Sequence, residues 1–166
     1  MLALRENQRE SIVQRHIARV VSAIGNNNLE VLKEVIQREN VDMMFQNYGE
    51  TDDSNALQIA CERNGTSIFI LEFLLLDMGA DPGLRTVGGD DSMAIAIMAK
   101  NVVAVGVLLR CGQYSMWQHV AGGDGLLPVE MAVEFYKCGF EMQEIVKCML
   151  VQMSHEEKYE GWSTVV

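Results

Sequence analysis

The chain holds only two prolines among its 166 residues. That leaves no room for a proline-rich linker or a long disordered tail. Cysteine is sparse as well: Cys61, Cys111, Cys138 and Cys148 make four, and no two have the C-x-x-C spacing of a zinc or redox site. Basic residues are outnumbered, 13 Lys and Arg against 23 Asp and Glu, for a formal net charge of −10. Binding to nucleic acid or to an anionic membrane surface draws on clustered Lys and Arg, so neither is expected as a partner. Long apolar runs are missing too. The nearest, Met93 to Leu109, covers 17 residues and is interrupted by Lys100-Asn101, against the ~20 that a spanning helix requires. Ile68 to Leu76 is shorter and carries Glu72. Both read as buried helices.

The opening residues, MLALRENQRE, are charged within five positions and contain no apolar stretch. No secretory leader is therefore expected. The expected setting is reducing and intracellular, with free thiols acting as small core residues. A basic import cluster is absent, which leaves cytoplasm and nucleus both open. What remains is ordinary globular composition, 49% hydrophobic and 22% charged. It suits one domain or one array of small units with a real core.

Internal spacing says more. Leu74-Leu75-Leu76-Asp77-Met78 precedes Gly79, and Val107-Leu108-Leu109-Arg110-Cys111 precedes Gly112, 33 residues later. Ala60, Ala96 and Ala132 each sit inside an apolar run, 36 residues apart. The stretch from Ala60 to Gly79 is three residues longer than that from Ala96 to Gly112. Another helical solenoid, or an irregular helical domain, would also accommodate these endings.

These landmarks resemble the ankyrin-repeat family, whose unit is about 33 residues with a T-P-L-H-x-A signature. Asp124-Gly125-Leu126-Leu127-Pro128-Val129-Glu130-Met131-Ala132 looks like D-G-x-T-P-L-H-x-A, and Asn55 to Cys61 looks like T-P-L-H-x-A-A. Leu74 to Pro82 is similar to the end of a unit, and Asn28 to Ile36 to a second helix. The signature Thr and His, which normally hydrogen-bond neighbouring loops, are missing throughout. The resemblance implies an all-α ankyrin-repeat solenoid of stacked helix-turn-helix units with protruding finger loops. The units would span roughly 11–42, 43–83, 84–118 and 119–153, with 154–166 as a tail or cap.

Within such units, Pro128 suits a first helical position, and Asp91 and Ser54 occupy cap-like places. Asn64-Gly65, Lys100-Asn101 and Cys138-Gly139 supply turns, and the outer helices are expected at Ile68–Leu76, Val102–Leu109 and Gln143–Gln152. Ser11–Ile24 carries Ile12, Val13, Ile17, Val20, Val21 and Ile24 on one stripe and suits a capping helix. At the other end Ser154–Glu160 is strongly charged, and Gly161–Val166 is expected to be loose.

No catalytic constellation emerges, and neither a cofactor nor a metal is expected. Gly122-Gly123-Asp124-Gly125 lacks the Lys-Ser/Thr of a phosphate loop and reads as a turn, as does Gly88-Gly89-Asp90-Asp91. Glu130 and Glu134 share a helix face without a histidine at ligand spacing and read as solvated. His119 beside Trp117 reads as a surface histidine. The chain is therefore expected to be a non-enzyme.

Charge is uneven. Residues 1–40 carry +1, and residues 41–166 carry −11. Glu50, Asp52 and Asp53, then Asp90 and Asp91, then Asp124 fall at equivalent finger positions, where stacking would align them on one rim. Turn and cap preferences explain the same residues. By the resemblance, Met98, Leu126 and Phe135 stand where the family shows target-specific side chains, with Glu62, Arg63, Val87, Asp90, Asp124 and Glu134 nearby. Tyr48, Met116 and Trp117 add bulk to the fingers, and aromatic and methionine side chains make good interface anchors. Together with Asp53 these form the expected partner-binding set. The partner is expected to be a protein with a basic or mixed apolar and basic surface. Small ankyrin proteins resemble stand-alone regulators or adaptors of kinases or transcription factors. The alternative is a structural subunit or homo-oligomer assembling through its outer helices.

Overall fold

The computed structural model describes residues 2–39, 54–111, 125–134 and 139–163; side chains of the two outermost helices are described from Gln14 and up to His155. The described residues are helical with no strand, so the all-α expectation holds. In chain order they form α1 (Leu2–Gly25), α2 (Leu29–Glu39), α3 (Ala56–Glu62) and α4 (Ile68–Glu72), which runs on as a single π turn, Phe73–Asp77. Then follow α5 (Ser92–Met98), α6 (Val102–Arg110), α7 (Pro128–Glu134) and α8 (Phe140–Ser163). No helix among the described residues is long and apolar enough to cross a membrane.

The helices pack as hairpins, α1 with α2, α3 with α4, α5 with α6 and α7 with α8. Successive hairpins also touch. The first members, α1, α3, α5 and α7, pack in series, and so do α4, α6 and α8. One apolar core runs from Val20 to Met149 along this double row. No hairpin could bury its apolar face alone, because each has an apolar side that only its neighbour covers. Ala60, Ala96 and Ala132 are fully buried. Side chains this small let the two helices of a hairpin approach closely.

Three of the first-row helices are seven residues long and begin at 56, 92 and 128, a recurrence of 36. Each start has its own cap. The Asn55 side chain, one residue past the expected Ser54, accepts from the Gln58 amide, and the Asn55 amide donates to Gln58 Oε1 in return, a complete capping box. Asp91 accepts from the Ala94 amide as expected. At α7, Pro128 opens the helix and the Glu130 carboxylate accepts from the Leu127 amide at 2.9 Å.

The second row differs from expectation in two places. First, α8 starts at Phe140 instead of Gln143 and continues to Ser163, so Ser154–Glu160 belongs to it and Gly161–Ser163 is helical. Its sequence contains no proline, and its single glycine falls in the last turn, so nothing local stops it. α1 likewise begins at Leu2, well before Ser11, through a stretch free of proline and glycine. Second, the three extra residues between Ala60 and Gly79 are divided. Ala60 to the start of α4 at Ile68 is eight residues, against six from Ala96 to Val102, so two lie in the turn. The third lies in the helix, since Ile68 to Gly79 is 11 residues and Val102 to Gly112 is 10. It is absorbed as the π turn, where the Met78 amide reaches back five residues to the Phe73 carbonyl at 3.0 Å. Phe73, Leu74 and Leu75 stay buried, and Gly79, at φ +66°, ends the helix in the left-handed region.

Asparagines tie the hairpin turns together. The Asn27 side chain donates to the Gly65 carbonyl at 2.7 Å and accepts from the Ser67 amide at 2.6 Å. Asn64 donates to the Ala99 carbonyl at 2.7 Å. Asn101 caps α6 through the Ala104 amide and donates back to the carbonyls of Cys61 and Arg63, both at 3.0 Å. Apart from the α6 cap, each of these bonds crosses from one hairpin to the next.

Candidate functional site

The loop from Met78 to Asp91 leaves α4 and returns to α5. It is held at its root and across its tip. Asp81 accepts from the Gly83 amide at 2.8 Å, and the Ser92 amide donates to the Pro82 carbonyl at 3.1 Å. Gln58, from the preceding first-row helix, donates its Nε2 to the Leu84 carbonyl at 2.8 Å. Further out, the Thr86 amide donates to the Asp90 carbonyl at 2.9 Å, and the Asp90 amide donates to Thr86 Oγ1 at 3.3 Å. Gly89, at φ +90°, makes that reversal possible. Val87 stands at the tip, 82% exposed.

Beneath this loop lies a groove of about 420 Å³ lined by Ser54, Glu62, Thr86, Asp90, Ile95, Met98 and Ala99. Three of the expected partner-binding residues meet here. Glu62 and Met98 are the last residues of α3 and α5, and Asp90 lies at the base of the loop. Met98 is 47% exposed and Glu62 is exposed, while Ile95 packs partly against the core. The lining thus mixes apolar side chains with two carboxylate-bearing residues. Neither carboxylate has a hydrogen-bond or ion-pair partner among the described residues.

Other expected residues fall elsewhere. Arg63 lines a separate hollow with Ile24, Gly25 and Asn27, about 280 Å³, on the turn side of the hairpins. Its guanidinium lies over Gly25, where a Cβ would come within 2.6 Å of Nη1. Leu126 and Glu134 line a third hollow of about 380 Å³ with Val129, Glu130 and Val133 along α7. Leu126 is partly buried against the core, so only its edge is free. Tyr48, Asp53, Met116, Trp117, Asp124 and Phe135 lie outside the described residues. His119 and Gly122 to Asp124 do as well.

Glu130 is engaged as the α7 cap, which accounts for it without a ligand. No group of three or more His, Cys, Asp or Glu able to hold a metal occurs among the described residues. Cys61 is fully buried, and desolvation, with a smaller contribution from the Asp91 charge, pushes its thiol pKa up. Partial burial raises Cys111 as well, with Arg110 opposing and Glu72 adding to the effect. Both are poor nucleophiles at neutral pH, because the thiolate is the reactive form.

Sequence reasoning missed Ser54, Thr86, Ile95 and Ala99 as groove residues. Thr86 carried no signal of its own. Ile95 could have been found from its place three residues before Met98 on the same helix face. A further apolar feature bears on the outer-helix alternative. Phe69, Val103 and Phe140 are exposed at the starts of α4, α6 and α8. Compared with known families and proteins, the chain matches no family model and no curated sequence.

Proposed function

We propose that this protein is a non-catalytic interaction module, an ankyrin-type solenoid that docks a protein partner across its first-row helices and the loop above them. The observation that carries this reading is the convergence of Glu62, Asp90 and Met98 on one groove between consecutive hairpins. The groove combines an exposed methionine anchor with carboxylates that have no ion-pair partner among the described residues, which suits a partner with a basic or mixed apolar and basic surface.

Support for the ankyrin-type architecture comes from the turn chemistry. Gln58 stands at the signature His position and Asn55 at the Thr position, and together they form the cap and the bond to the next loop. The asparagine bonds between turns supply a comparable link on the opposite side. A small module of this kind works by holding its target in one conformation or by covering a surface of it. A kinase or a transcription factor is the proposed type of target, and a cytoplasmic or nuclear setting goes with it.

The exposed apolar residues Phe69, Val103 and Phe140 favour a second reading, self-assembly through the second-row helices. Two sets of variants separate the readings. Affinity capture from native extract with the unaltered chain, Met98→Glu and Phe69→Glu/Val103→Glu, alongside solution mass, provides the test. A partner lost with Met98→Glu and kept by the double variant supports the docking reading. A dimer that dissociates only in the double variant supports self-assembly instead.

A further inference from the structure

We infer that the groove below the Thr86–Asp90 loop seats a single arginine or lysine side chain carried on an extended segment of the partner. This rests on the docking reading above and specifies what the surface recognises.

The groove's lining has two kinds of chemistry. Ile95, Met98 and Ala99 contribute apolar lining, and Ser54, Glu62, Thr86 and Asp90 contribute residues with oxygen-bearing side chains. Lysine and arginine have the same division, with an aliphatic stem that lies along apolar surface and a cationic head that requires acceptors. An apolar side chain would suit the apolar lining and leave the two carboxylate-bearing residues without a complement. An acidic one would meet like charge. A cationic head meets Glu62 and Asp90, whose charges are otherwise uncompensated among the described residues.

The lining elements favour an extended segment over a compact domain face. The walls are the ends of α3 and α5 on one side and a hydrogen-bonded loop on the other. They leave a slot of about 420 Å³ between them. The loop is fixed by the Gln58 and Pro82 bonds at its root, so the slot exists before a partner arrives. Little ordering is then required on this side of the complex. The net charge of −10 also speeds the approach of a basic segment.

The test is selection of random linear 12-residue peptides against the full chain, followed by anisotropy titration of the enriched peptides. The expected result is a shared arginine or lysine beside an apolar residue. Replacing that residue by norleucine weakens binding about tenfold, and Glu62→Gln/Asp90→Asn weakens the parent peptide by a similar factor, as expected for two partly exposed charge contacts. The double variant also flattens the salt dependence. Its circular dichroism and thermal midpoint should match the parent, since neither carboxylate supports the fold.

Enriched peptides without a basic residue, or with affinity unchanged in the double variant yet lost in Met98→Ser, overturn the cationic seat and leave the docking surface standing. Failure to enrich any peptide, or binding that survives Met98→Ser and Val87→Ser alike, overturns both.

Discussion

The carboxamide of Asn101 donates to the carbonyl of Cys61, forty positions earlier in the chain, at 3.0 Å. The same group reaches the Arg63 carbonyl, also at 3.0 Å, while its oxygen accepts from the Ala104 amide. One side chain, only 2% exposed, therefore caps α6 and satisfies the end of α3 in the preceding hairpin. Orphaned carbonyls at a helix end are costly when water cannot reach them.

Asn101→Ala is accordingly expected to cost about 2–4 kcal/mol, a lost cap plus the Cys61 carbonyl left without its donor, while the Arg63 carbonyl keeps its bonds from the Thr66 amide and hydroxyl. Asn101→Asp keeps the cap but brings a buried charge against two carbonyl oxygens, and should fare no better. Asn64→Ala loses one exposed bond to Ala99 and should cost less than about 1 kcal/mol. Urea unfolding of the three variants checks the order. Equal losses for Asn64 and Asn101 would refute it.

The π turn supplies a deletion test. Removing Leu76, which is exposed, shortens the Phe73 to Met78 bond from five residues to four and lets α4 continue as an ordinary helix to Gly79. Stability should change by no more than about 1 kcal/mol. Removing Val103 from α6, which has no such turn, rotates every later side chain of that helix by about 100°. That variant should lose its cooperative thermal transition. A well-folded Val103 deletion would contradict the account.

Cys61 links stability to alkaline pH. Its folded-state thiol pKa is raised by burial, so the folded chain keeps the proton to a higher pH than the unfolded chain. The associated stability is complete below the unfolded value of about 8.5 and is lost as pH rises beyond it, by at most about 1.4 kcal/mol per pH unit. Chemical unfolding at pH 7 to 11 should show a steeper fall for the parent than for Cys61→Ala. Alkylation of the native chain, followed by peptide mapping, should mark Cys111 and Cys148, both partly exposed, well before Cys61.

Gly25 ends α1 with the Arg63 guanidinium across it. The atom in the way is the far end of a flexible side chain, so Gly25→Ala should displace it and gain up to about 0.5–1 kcal/mol from helix propensity. The gain should be at least as large in an Arg63→Ala background. Destabilisation in both backgrounds, measured by thermal unfolding, would show that the glycine serves some other need.

The helical class and the seams between hairpins were legible in the residues themselves. Gly79, the alanines at 60, 96 and 132, Pro128 and Asp91 each have one local role, and local roles survive without knowledge of neighbours. The cap at Asn55 was displaced by one residue because Ser54 and Asn55 are equally good candidates until Gln58 decides between them. The lengths of α1 and α8 were underestimated because an end signal was expected where the charge changes, and a helix ends only where something stops it.

The candidate site divided along the same line. The sequence alone determined a helical chain with an acidic excess after residue 40 and a set of candidate residues spaced along it. Which of them act together was decided only by the stacking: Glu62, Asp90 and Met98 share a groove, whereas Arg63, adjacent to Glu62, turns to another side. Periodicity encodes which face of a helix is apolar, because burial repeats with the helical turn. It does not encode which polar atoms of one hairpin meet those of the next, because that depends on distances set by the whole packed row.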